Sequence, residues 1–148
     1  TIKEAGRALV REQMTTGGDA LPWTNPASFS LQLAERAILQ YEVGNETEET
    51  VFYDRSLIDP IAFLDQHGLA IPDDLEQAIT IYRYDDPVFV VPPWKKIYVS
   101  DAERPKPFEQ AEEEYTFLIT RYRQAGYRLL EMPKISTSER AAFVINHL

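Results

Sequence analysis

Three side chains of different chemistry, Asp54, Arg55 and Ser56, stand together at the end of the apolar run Val51-Phe52-Tyr53. A run so rich in β-branched and aromatic residues predicts a buried strand over 51–53. In open α/β sheets, ligands bind in the crevice outside the carboxyl ends of the strands. An acid there can hold a metal ion, and an arginine there can fork onto phosphate oxygens. Asp59 follows Arg55 by four residues. It can point into the same cleft or meet the helix dipole as a first-turn acid. The string also reads as a strand that ends in a solvated ion pair. The segment alone leaves both readings open.

Other residues of chemical interest are scattered. Trp23 and Trp94 can wall a pocket for a flat ligand or serve as half-buried packing residues. Glu4 and Arg7 follow the first extended segment, where an acid at a helix start and a neighbouring cation form a common pair. Arg104 and Lys106 lie in the string Asp101-Ala102-Glu103-Arg104-Pro105-Lys106-Pro107, which also reads as a charged surface loop. His67 and His147 are isolated near helix ends and read as structural. Arg121, Arg123 and Arg128 surround a helix end, where cations meet the dipole favourably.

The elements that position these residues alternate between helix and strand. Residues 5–14 predict a helix broken by Gly17-Gly18. Asn25-Pro26 signals the next start, with a capping residue before a proline in the first turn. Leu31, Ala34, Ile38 and Tyr41 then share one face. That helix ends near Gly44, before an acidic turn over 46–49. Residues 57–66 form a helix despite Pro60, which a first turn tolerates. Asp73 is expected to cap another helix reaching about Tyr84. Residues 88–91 read as a strand buried on both faces, ended by Pro92-Pro93. The polar stretch 95–107 reads as a surface loop. Phe108, Ala111, Tyr115, Leu118, Ile119 and Tyr122 mark an amphipathic helix over 108–124, stopped by Gly126. A last strand over 127–132 precedes a helix with a Ser136/Glu139 capping box. That helix is expected to pack Ala142, Ile145 and Leu148. The order implies a parallel sheet covered on both faces, a doubly wound α/β domain.

Composition narrows the classes. A chain of 148 residues is one domain by the usual size prior and long enough for a core. Hydrophobic residues at 44% and charged residues at 26% are ordinary globular values. The 24 acids against 15 Lys plus Arg leave a net charge of −9, which argues against nonspecific binding to nucleic acid or an anionic membrane. Cysteine is absent, which excludes a disulfide framework and thiol chemistry and fits a cytoplasmic setting. No apolar run approaches the length of a membrane span.

Four segments occur in a telling order: Glu4-Ala5-Gly6-Arg7, Gly17-Gly18-Asp19-Ala20-Leu21-Pro22-Trp23, Asp54-Arg55 with Asp59, and Pro92-Pro93-Trp94. In order and spacing they resemble the AAA_28-type predicted ATPases, P-loop proteins close in architecture to thymidylate and deoxynucleoside kinases. The resemblance extends over essentially all 148 residues. It implies a three-layer α/β/α domain with a parallel sheet, and an enzyme that uses Mg2+ and ATP. The reaction would be ATP hydrolysis or phosphoryl transfer to a small nucleotide- or nucleoside-like acceptor. By the same resemblance Asp54 works at the magnesium ion and Arg55 at phosphate groups. Glu4 acts as base on an acceptor hydroxyl. Arg7, Trp23, Asp59, Trp94 and Lys106 bind substrate. Residues 95–107 form a lid from which Arg104 reaches the transferred phosphoryl group, and Lys134 approaches the adenine ring.

The family pattern opens with a strand and a GxxxxGK[ST] phosphate loop, and the 148 residues contain no such run. Gly17-Gly18 does not substitute, because no lysine and hydroxyl follow. The missing loop supplies the N–H cradle, the phosphate-binding lysine and a magnesium-ligating hydroxyl. The missing strand would lie in the middle of the sheet. The expectation is therefore a natural protein longer at its N-terminus by a strand, the loop and its helix, with the 148 residues alone binding ATP poorly. Two other classes stand beside the enzyme: a non-catalytic, nucleotide-dependent regulatory or interaction module, and a processed fragment that acts only as a binding partner.

Overall fold

The computed structural model describes residues 1–100 and 107–148. Among them the backbone is mixed α/β, with six α-helices and a small parallel sheet. The chain divides into two compact units, Thr1–Arg83 and Tyr84–Leu148.

In the first unit, α1 spans Gly6–Thr16 and stops at Gly17, whose left-handed φ of 71° costs a glycine little. Helix α2 spans Pro26–Gly44 and opens as its sequence predicts. The Asn25 side chain accepts from the Ser28 N–H at 3.1 Å, and Pro26 takes the first position, where a missing N–H costs nothing. Its buried face carries Phe29, Ser30, Ala34, Ala37 and Gly44, whereas Leu31 is exposed. The expected apolar face is thus correct at Ala34 and wrong at Leu31. Phe29 packs with Leu9 and Val10 of α1 and meets the ring of Phe63 edge-on at 5.8 Å, which turns the start of α2 toward that cluster.

Helix α3 (Ile58–Gln66) and α4 (Asp73–Ile81) complete the unit's core. Ala34 and Ala37 are small enough for α2 to approach α3 closely. Leu57, Ile61 and Leu64 fill that junction with Leu75 and Ala78 of α4. Full burial of each large aliphatic side chain contributes roughly 1.5–3 kcal/mol. Pro60 is buried in the first turn of α3 without loss of a helical bond. Asp73 does not cap α4. It is the helix's first residue, after Pro72, and forms a first-turn acidic group with Asp74 and Glu76. The helix also ends before Tyr84. The Tyr82 ring meets Tyr41 edge-on at 5.6 Å, and the Tyr41 hydroxyl donates to the Arg83 carbonyl at 3.0 Å, drawing the chain off the helix axis.

The strand expected over 51–53 is reduced to one parallel bridge, Ile2 with Tyr53. Beyond Ile2 the backbone leaves the ladder, and the Lys3 carbonyl accepts from the Gln40 side chain at 3.1 Å instead.

In the second unit, β1 (Val88–Val90) pairs in parallel with β2 (Leu129–Glu131), with Phe89 opposite Leu130. Both strands are shorter than their apolar runs. Flanking bonds from Val88 N–H to the Arg128 carbonyl and from Met132 N–H to the Val90 carbonyl extend the pairing at each end. Helix α5 (Phe108–Gln124) has the predicted bounds, buries Ile119 and Tyr122, and is followed by Gly126 at φ 76°. Within the polar stretch after β1, Lys95–Ile97 makes one 3-10 turn.

Helix α6 (Thr137–Ile145) has its capping box. Ser136 Oγ accepts from the Glu139 N–H, and the Glu139 carboxylate accepts from the Ser136 N–H. Its packing face differs from expectation. Ala142, Ile145 and Leu148 are exposed, while Phe143 meets Phe89 of β1 edge-on at 6.4 Å. One position along a helix is a rotation of about 100°, so seating Phe143 on the strand turns Ala142 outward. Among the described residues no helix is long and apolar enough to cross a membrane.

Candidate functional site

The Ile2–Tyr53 bridge positions the chemically interesting residues of the first unit. Ile2 N–H donates to the Phe52 carbonyl at 2.7 Å, and Asp54 N–H donates to the Ile2 carbonyl at 2.9 Å. Because the pairing is parallel, both segments are left at the same end. One continues into Lys3 and Glu4, the other into Asp54, Arg55 and Ser56. Two acids and an arginine therefore emerge together at the carboxyl ends of paired extended segments, the place where α/β proteins put ligands.

The turn after Tyr53 is built around Asp59. Arg55 has φ 80°, a left-handed conformation uncommon for any residue but glycine. Its Nη1 donates to Asp59 Oδ1 at 2.9 Å. The second carboxylate oxygen, Oδ2, accepts from the Ser56 N–H at 2.9 Å and from the Ser56 hydroxyl at 3.4 Å. Ser56 Oγ in turn accepts from the Ile58 N–H at 3.0 Å, satisfying a donor at the start of α3. The Asp59 side chain is 11% exposed and that of Arg55 48%. Asp59 thus grips the turn from inside while the arginine reaches solvent.

Asp54 differs from Asp59. Its side chain is exposed and makes no hydrogen bond or ion pair among the described residues. No group of three or more His, Cys, Asp or Glu side chains suited to a metal occurs among those residues. A lone carboxylate is still the usual protein contribution to a magnesium ion, which keeps several waters and takes other ligands from substrate phosphates. Asp54 fits that role, and a dedicated all-protein metal cage does not fit this site.

Glu4 is half-buried, with its carboxylate folded over the start of α1. A Cβ placed on Gly6 would stand 2.8 Å from Glu4 Oε1. Arg7 is half-buried one position further on. Trp23 is 47% exposed. It ends a loop held by the Leu21 carbonyl, which accepts from Thr24 and Asn25, and by a 3.1 Å bond from Asn25 Nδ2 to Asp19. Trp94 belongs to the second unit, next to Pro93, whose carbonyl accepts from Lys134 Nζ at 2.9 Å. Arg104 and Lys106 lie outside the described residues.

Sequence reasoning assigned no role to Ser56 or Tyr53. For Ser56 a signal existed: Ser56 and Asp59 have the spacing of a capping box just before an apolar run. Tyr53 has its phenol pKa pushed up by burial and, to a lesser degree, by Tyr41, on which it stacks at 6.5 Å.

Residues 1–140 match the model of AAA_28, an AAA domain. The chain belongs to the AAA_28 family. Its likeness is thereby to nucleotide-binding domains of P-loop type, and the mixed α/β backbone with its parallel pairing is compatible with that architecture. No curated protein and no solved structure matches the chain. In this AAA_28 domain the first unit contains Glu4, Arg7, Trp23, Asp54, Arg55 and Asp59, and the second contains Trp94.

Proposed function

We propose that the intact protein is a Mg2+-dependent P-loop enzyme of the cytoplasm, built as a single three-layer α/β/α domain. It hydrolyses ATP or passes the γ-phosphoryl group to a small nucleotide- or nucleoside-like acceptor. The observation that carries this reading is the exposed Asp54 carboxylate, unpaired among the described residues, beside Arg55 at the carboxyl end of a parallel pairing. Phosphoryl transfer is mostly positioning and charge neutralisation, and these groups are suited to both. When bound, magnesium would supply charge neutralisation on the phosphates, with Asp54 as its protein ligand. Arg55 would bind phosphate oxygens, and Glu4 would take the proton of an acceptor hydroxyl. Arg7, Trp23, Trp94 and Lys106 are assigned to substrate, and Arg104 to the lid over 95–107. None of these residues is assigned to the triphosphate cradle.

The test is ADP formation by the intact protein, with and without candidate acceptors, for wild type and Asp54→Asn. An exposed carboxylate without partners among the described residues contributes little to folding, so its loss is expected to leave the melting temperature unchanged. Turnover is expected to fall about 100-fold or more, as when one group that stabilises transition-state charge is removed. Unchanged turnover would remove Asp54 from the site. Tight nucleotide binding without turnover in wild type would favour the regulatory module.

A further inference from the structure

Asp59 is a heavily engaged acid of the site, and three of its hydrogen bonds run inward to its own turn. Oδ1 accepts from Arg55 Nη1, and Oδ2 accepts from the backbone and side chain of Ser56. The side chain is largely covered. Ser56 is buried and fastened to the start of α3 by the Ile58 N–H. Arg55 itself sits at φ 80°, a backbone setting that an L-residue does not choose unaided and that points to a position held by its surroundings. We infer that Asp59 is a positioning residue. It acts through Arg55, setting the direction of the guanidinium, and is not itself a contact for substrate or metal. This rests on the proposed phosphate-binding role of Arg55.

The chemistry of a single carboxylate explains why this residue type is needed. Two donors approach from different directions, the guanidinium on one side and the Ser56 amide on the other. A carboxylate can accept from both. An asparagine can accept from only one, because its NH₂ would face the other donor. Without the Asp59 carboxylate the arginine would have more rotamers open to it. Gripped at Nη1, it presents its outer face in one direction. Misplacement of a reacting group by about 1 Å can cost on the order of 100-fold in rate.

The experiment is a double-mutant cycle on the intact protein, read as steady-state Mg2+-ATP turnover, with the melting temperature of each variant measured alongside. Asp59→Asn is expected to lower kcat roughly 10- to 100-fold with KM for ATP little changed. In an Arg55→Ala background the same substitution is expected to have no further effect on kcat, because the group through which Asp59 acts is gone. A purely structural role would lower the melting temperature in both backgrounds and depress turnover in both. Equal, additive losses in the two backgrounds would overturn the inference, and so would wild-type kcat in Asp59→Asn alongside a damaged Arg55→Ala. Wild-type turnover in Arg55→Ala would instead withdraw the phosphate-binding reading of Arg55 on which the inference stands.

Discussion

The hydroxyl of Tyr53 occupies the space that a Cβ on Gly44 would need, so the last turn of α2 rests directly on the segment that delivers Asp54. Tyr53 is not free to swing away. Its ring stacks on Tyr41, and its hydroxyl reaches the Tyr41 carbonyl at 3.4 Å. Replacing a helical glycine with alanine ordinarily gains about 1 kcal/mol. Overpacking a close contact costs roughly 1–3 kcal/mol. The second effect should win here. Gly44→Ala is expected to destabilise the protein by up to about 2 kcal/mol in denaturant unfolding. Tyr53→Phe should relieve only part of this, because Cζ would remain 2.6 Å from the new Cβ. A Gly44→Ala variant more stable than wild type would show that Tyr53 yields freely.

The capping box of α6 makes a pH-dependent contribution. Glu139 has its pKa lowered by hydrogen bonds from the Ser136 side chain and backbone. A carboxylate with a depressed folded pKa stabilises fully above its unfolded value and loses that contribution as pH falls through the folded value. The α6 amides should therefore lose protection, measured against the intrinsic exchange rate at each pH, as the pH drops below the ordinary Glu range, ahead of those of α5. Glu139→Gln should remove that selective acid response while keeping the helix at neutral pH. Hydrogen exchange of α6 residues across this range checks it, and parallel acid responses in both forms would assign the effect to other groups.

What could be read in advance was local. Asn25-Pro26 and Ser136/Glu139 announce helix starts because capping uses side chains within three residues of the backbone they satisfy. The apolar runs at 88–91 and 127–132 announced strands that pair in parallel. Faces and grips were less visible. Leu31 shares helical spacing with the buried Ala34, and Ala142 with the apolar Ile145, but Phe29 and Phe143 decide which way each helix turns, and their partners lie far away in sequence. The site divides in the same manner. The acid and base at 54 and 55 were visible as types. The inward grip of Asp59 was not, because it depends on a left-handed Arg55 that no glycine advertised.

That left-handed arginine separates stability from function at one position. Holding a non-glycine residue there costs on the order of 1–2 kcal/mol. The Arg55–Asp59 pair returns only about 0.3–0.5 kcal/mol, since the arginine is half exposed. Arg55→Gly removes the strain and the pair, and adds roughly 0.4–1 kcal/mol of unfolded-chain entropy to be lost on folding. These nearly cancel, so Arg55→Gly should unfold close to wild type. Arg55→Ala loses the pair and keeps the strain, so it should be the least stable of the three, below Arg55→Gly by up to about 1.5 kcal/mol. Neither variant has a guanidinium, and turnover should fall strongly in both. Denaturant unfolding of the three proteins, with ATP turnover measured on the same samples, decides the point. Were alanine at 55 more stable than glycine by roughly 0.4–1 kcal/mol, the whole of the unfolded-chain term, the left-handed backbone would carry no cost, and the case for a held arginine would lose its strongest support.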